Sequence, residues 1–106
     1  MTIRQARKIL AEYLVRMDMT EWTVFLRWGT KKEMEDLDGR CIWSPEYTHC
    51  EIVIRRDQAD SEIPKTVVHE LVHVCLQGHK ENHSRYDTMY ERGINRITLA
   101  IIGSNN

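Results

Sequence analysis

At 106 residues the chain has room for one domain with a single modest core. Fifteen Lys and Arg against sixteen Asp and Glu leave a formal charge of -1, which gives no electrostatic case for nucleic acid or an anionic membrane as partner. No apolar run approaches the ~20 residues of a membrane span, and the basic N-terminal residues have no apolar stretch behind them to make a signal peptide, so a soluble, cytoplasmic protein is expected.

Residues 2–17 repeat Ile3, Ala6, Leu10, Tyr13, Leu14 and Met17 at spacings of three and four, with Arg4, Arg7, Lys8, Glu12 and Arg16 on the other side. That periodicity predicts an amphipathic first helix. Residues 22–28 alternate, with Trp22, Val24, Leu26 and Trp28 on one side, and are rich in aromatic and β-branched side chains, which predicts a strand. A polar, charged connection over 29–39 follows. Residues 39–44 read as a short strand stopped by Pro45, and residues 50–55 as a third strand whose alternation is less clean. The segment 45–49 makes a hairpin between these two plausible.

Residues 56–63 form a polar link with Asp60 and Ser61 as candidate helix caps, and Pro64 suits the first turn of the helix that follows. This helix is expected to reach Gln77 and to stop at Gly78. Val67, Leu71 and Val74 make one apolar stripe and Val68, Val72 and Cys75 another, so the helix should be central. A polar loop over 79–84 leads to a last helix over 85–102, with Tyr90, Ile94, Ile97 and Ile101 as its packing stripe and Glu91 beside it. Residues 103–106 read as a frayed tail. The fold class expected is α+β, with a small, mostly antiparallel three-stranded sheet in a single domain over 1–106. Nothing specifies an oligomeric state.

The three cysteines, Cys41, Cys50 and Cys75, are an odd count without CxxC spacing, as expected in a reducing compartment. Cys41 and Cys50 face each other across the hairpin in one reading and are free thiols in the other. Cys75 points away from the side of the helix that carries the histidines and is expected to pack in the core.

The central helix contains His69-Glu70-x-x-His73. At 3.6 residues per turn the two imidazoles lie on one side, one turn apart, where both can converge on one cation. Glu70, about 100° further round, reaches a water bound to that cation. A catalytic zinc takes three protein ligands and leaves one position open. Candidates for the third are His79, His83 and Glu91. His79 stands ten residues after His69, the separation in the metzincin pattern HExxHxxGxxH, but Leu76 occupies the place of the glycine that turns that chain back.

Glu91, 18 residues after His73, falls on the next helix, which the loop can fold back antiparallel against the first. In these respects the chain resembles the gluzincins, the thermolysin-like zinc metallopeptidases, and among them the small single-domain minigluzincins of prokaryotes and phages. The specific match covers residues 69–95, and the order helix, strands, HExxH helix, glutamate-bearing helix extends it over the chain. The resemblance implies a zincin-like minimal domain with His69, His73 and Glu91 on Zn2+. In that family an Asp four residues after the third ligand orients a zinc-binding histidine. Here that position is Asn95, which accepts a histidine N–H but does not strengthen the ligand's basicity as a carboxylate would.

The activity implied is hydrolysis of peptide bonds in a peptide or protein substrate by a zinc-activated water, with Glu70 as general base. Tyr86 and Tyr90 are candidate donors to the charge that develops on the carbonyl oxygen. The strand over 41–44 would receive the substrate as an added strand, as edge strands do in zincins. Two other readings stay open. One is a non-catalytic, zinc-stabilised interaction domain of the same fold; the other is a SprT-like protease, in which His83 would complete the site.

Overall fold

In the computed structural model, which describes residues 1–44, 48–76 and 87–103, the apolar segment around the two histidines forms helix α3 (Ile63–Cys75). Ile63, Val67, Val68, Leu71, Val72 and Val74 of this helix are all at most 2% exposed. A helix that is apolar nearly all round has little side to give to water, so other elements wrap most of it and leave one flank, at Lys65 and His69, open. The sheet covers one side, and helices α1 (Ile3–Arg16) and α4 (Asp87–Gly103) cover most of the rest.

The lead-in to α3 differs from the expected cap. Neither Asp60 nor Ser61 caps the helix: a 3-10 turn over Asp60–Glu62 precedes it, and the Ile63 N–H already reaches the Asp60 carbonyl. Pro64 has no N–H to satisfy, so a capping side chain has less to do here. The Asp60 carboxylate instead accepts the N-terminal ammonium at 2.9 Å. At the other end α3 stops at Cys75; Gln77 and Gly78, the expected end and stop, lie outside the described residues.

Strands β1 (Thr23–Gly29), β2 (Gly39–Ser44) and β3 (His49–Arg55) form one sheet in the order β1-β3-β2. The expected β2/β3 hairpin pairing is antiparallel, whereas β1 pairs with β3 in parallel, which corrects the mostly antiparallel expectation. The reason lies in β3. Ile52, Val53 and Ile54 are consecutive and all fully buried, so this strand needs cover on both faces and takes the centre, leaving β1 and β2 as the edges. Cover for the outer face comes from the connection after β1. Thr30 caps a one-turn helix α2 (Lys31–Met34), accepting from the Glu33 N–H at 3.1 Å. Met34 then lies over Gly29 beside Val53, leaving no room at position 29 for a Cβ.

The cysteines are all free. In the hairpin register Trp43, not Cys41, stands opposite Cys50. Cys75 is exposed rather than packed in the core, with its thiol 3.3 Å from the Met19 sulfur.

Helix α1 begins with a capping box between Thr2 and Gln5 and buries Ala6, Leu10 and Tyr13, as its periodicity predicts. In α4 the buried positions are Ile94 and Thr98, while Ile97 is 41% exposed. Among the described side chains the packing face therefore runs through residues 91, 94, 98 and 101, with Thr98 in the place expected for Ile97. That shift puts Glu91 on the face turned to α3, not beside it. Among the described residues no helix is long and apolar enough to cross a membrane.

Candidate metal centre

Because His69 and His73 are one turn apart on α3, their rings meet edge to face with centroids 4.8 Å apart and their Nε2 atoms 3.1 Å apart. From α4 the Glu91 carboxylate arrives at the same point, with Oε1 3.0 Å from His73 Nε2 and Oε2 3.2 Å from His69 Nε2. Three side chains from two helices thus converge, two imidazole nitrogens and one carboxylate. These contacts cannot all be hydrogen bonds. Each ring nitrogen carries at most one in-plane proton, so any assignment satisfies at most two of the three. A cation satisfies all three together.

Glu70 is 6% exposed, and a carboxylate oxygen of it lies within 4.8 Å of a ring nitrogen of each histidine. His69, Glu70 and His73 form a group that could hold a metal ion. Of the two glutamates it is Glu91 that touches both imidazoles, while Glu70 stands alongside on the wall of a cleft. That cleft, of about 570 Å³, lies between the loop at residues 36–39, the exposed flank of α3 and the outer half of α4. His69 and Glu70 face it from α3, and Asn95 and Leu99 from α4.

The chain shows no match to any family model, known protein or solved structure with which it was compared. The reading of the site therefore rests on its own geometry.

Asn95 is exposed and lines the cleft, and it makes no hydrogen bond to either histidine among the described residues. His79, His83 and Tyr86 lie outside the described residues, as does the side chain of Tyr90. Strand β2 is an edge strand, as the substrate-docking expectation requires. The pairing of Arg55 N–H with the Asp38 carbonyl sets its phase, so the backbone groups of Gly39, Cys41 and Trp43 face away from β3.

Two features had little signal in the sequence. Gly39 was legible only as a strand boundary, yet a Cβ there would lie 2.6 Å from Thr66 Cγ2 and 3.3 Å from Glu70 Cγ. Its missing side chain is what lets β2 lie against the glutamate. Below Glu70 on the inner face of β3 is Cys50, 3% exposed. Burial, and then the negative charges of Glu70 and Glu51, push its thiol up to about 12, which keeps it protonated at neutral pH.

Proposed function

We propose that this chain is a zinc-dependent metallopeptidase of zincin-like fold, resembling the gluzincins, with His69, His73 and Glu91 as the metal ligands and Glu70 as the general base. The observation that carries the reading is the meeting of the Glu91 carboxylate with both Nε2 atoms at 3.0 and 3.2 Å, with Glu70 standing beside it in a cleft wall. The donor spacing fits the ion. Zinc ligands at 2.0–2.1 Å in a tetrahedron are about 3.3 Å apart, close to the 3.1 Å between the two Nε2 atoms and to the 3.0 and 3.2 Å from each of them to its nearer Glu91 oxygen. Two imidazoles and one carboxylate also suit zinc better than calcium or magnesium, which take mainly oxygen ligands.

Zinc held there would supply Lewis acidity, activating water at neutral pH and polarising the scissile carbonyl. The rest falls to the chain's own side chains. Glu70, one residue past His69 and turned to the cleft, takes the proton from the attacking water and delivers it to the leaving amine. Its burial at 6% exposed, against the Gly39 backbone, limits the positions its carboxylate adopts. The outward backbone groups of Gly39, Cys41 and Trp43 pair with an extended substrate, which suits a peptide and is tolerant of its sequence.

A second reading, a non-catalytic zinc-stabilised interaction domain, is favoured by one observation. Asn95 stands where the family has a carboxylate, and among the described residues it makes no hydrogen bond to His69 or His73, so it does not give those histidines what a carboxylate there would. Glu70 separates the readings, because a purely structural zinc has no use for a base beside it. The test is zinc content together with cleavage of a mixed peptide pool by wild type and Glu70→Gln. Zinc retained with cleavage lost is expected. A zinc-loaded wild-type chain that cleaves no peptide in the pool would leave the structural role, and cleavage surviving in Glu70→Gln would remove the proposed base.

A further inference from the structure

The link between β3 and α3 holds one side chain whose hydrogen-bonding capacity is spent on three separate elements. Gln58 Nε2 donates to the Asp38 carbonyl at 2.9 Å and to the Arg55 carbonyl at 2.8 Å. Its Oε1 accepts from Thr66 Oγ1 at 2.7 Å. Two carbonyls, which can only accept, face one end of the amide and fix it as the NH2, so the amide has a single orientation with its oxygen toward the Thr66 hydroxyl. It joins the loop that walls the cleft, the end of β3, and α3 one turn before Glu70.

Strand pairing alone does not call for this amide. The Asp38 carbonyl already accepts the Arg55 N–H at 2.8 Å in the β2/β3 ladder. What Gln58 adds is a tie from that same carbonyl to Thr66, and Thr66 is the side chain on which Gly39 rests, its Cγ2 lying 2.6 Å from where a Cβ would stand. Thr66 is itself 8% exposed, with its hydroxyl also 3.1 Å from the Glu62 carbonyl, so it has little freedom to move. The tie fixes how closely the start of β2 sits on α3. Since Glu70 projects from α3 against the same strand, it also fixes the gap between the strand edge and the base.

We propose that Gln58 is a positioning residue of the cleft: its amide locks residues 38–39 onto Thr66 and so sets the spacing between the β2 edge and Glu70 into which an extended peptide must fit. This rests on the peptidase reading above. It acts on chain binding and not on the metal.

Two probes separate those contributions. Acetohydroxamate reports the metal alone, whereas a dipeptidyl hydroxamate reports the metal and the strand edge together. In zinc-loaded Gln58→Leu, the dipeptidyl hydroxamate is expected to bind on the order of tenfold more weakly, with zinc content and acetohydroxamate affinity unchanged. Thr66→Val, which removes the hydroxyl from both Gln58 and the Glu62 carbonyl and keeps the shape, should follow it, and Thr66→Ser, which keeps the hydroxyl, should stay within about twofold of wild type. Equal weakening of both hydroxamates, or of neither, overturns the proposal. Should the zinc-loaded wild type bind neither probe, the peptidase reading fails by itself. Amide exchange in metal-free protein then decides the lock: the Arg40 and Ile42 amides should exchange about tenfold faster in Gln58→Leu while the Leu71 amide does not change. Unchanged exchange at Arg40 and Ile42 overturns it.

Discussion

Replacing Glu91 by Ala removes the only one of the three converging donors that comes from α4. In the chain as it stands, that carboxylate spans both histidines, at 3.0 Å from one and 3.2 Å from the other. Structural zinc sites bind with about 10–16 kcal/mol over four ligands, so one ligand corresponds to roughly 3 kcal/mol, or on the order of a hundredfold in Kd. The side chain is 46% exposed. Its loss therefore opens no core cavity, and the metal-free protein should keep its stability to within about 1 kcal/mol. The assay is a zinc titration against a chromogenic chelator, with melting curves at a free zinc concentration about a hundredfold above the wild-type Kd. There the wild type should gain about 2.7 kcal/mol from zinc and the variant about 0.4 kcal/mol. The difference is a gap of roughly 10 °C in the zinc-induced shift of Tm for a domain of this size. A Glu91→Ala Kd within about threefold of wild type, with the large loss appearing in His79→Ala or His83→Ala, would refute the assignment.

Three further outcomes follow from the same geometry. Glu70→Gln should lower kcat by about 10²–10⁴ while zinc affinity stays within a few-fold, measured by peptide cleavage and chelator competition; equal loss of both would make Glu70 a ligand. Gly39→Ala places a methyl 2.6 Å from Thr66 Cγ2, where Thr66 is pinned by its hydrogen bonds, and should cost about 1–3 kcal/mol in urea denaturation, an unchanged midpoint showing that β2 can withdraw freely. Because burial, then Glu70 and Glu51, raise the Cys50 thiol from 9.0 to about 12, the unfolded state loses that proton first. The contribution is fully present below pH 9.0 and declines as pH rises toward about 12, so Cys50→Ala should flatten the alkaline fall in stability. Native Cys50 should also resist alkylation at pH 8, and rapid labelling there would show the thiol to be open to solvent.

The parts of this molecule that could be read from the chain are those set by local periodicity, and the parts that could not are set by what packs on what. His69 and His73 share a side of α3 because 3.6 residues make a turn, and Pro64 marks the helix start wherever the helix goes. The face of α4 was harder to read. Counting apolar residues makes Ile97 part of the stripe, yet the buried position is Thr98, whose hydroxyl donates back to the Ile94 carbonyl at 2.7 Å. A threonine that satisfies itself within its own helix can be buried like a valine, but a hydrophobicity pattern counts it as polar. With Thr98 on the inside, residue 91 turns inward too, and the glutamate meets the histidines. The direction of β1 was not legible for a related reason. Parallel or antiparallel pairing depends on which strand takes the centre, and β3 takes it because Val53 on its outer face is covered by Met34 from a segment that reads as a polar loop. Gln58 and Gly39 are the extreme case. One looks like a solvated residue in a polar link, the other like a turn, and each acquires its role only from a third segment, at Thr66. Sequence therefore exposes the donors of the site more readily than the contacts that hold the cleft wall against them.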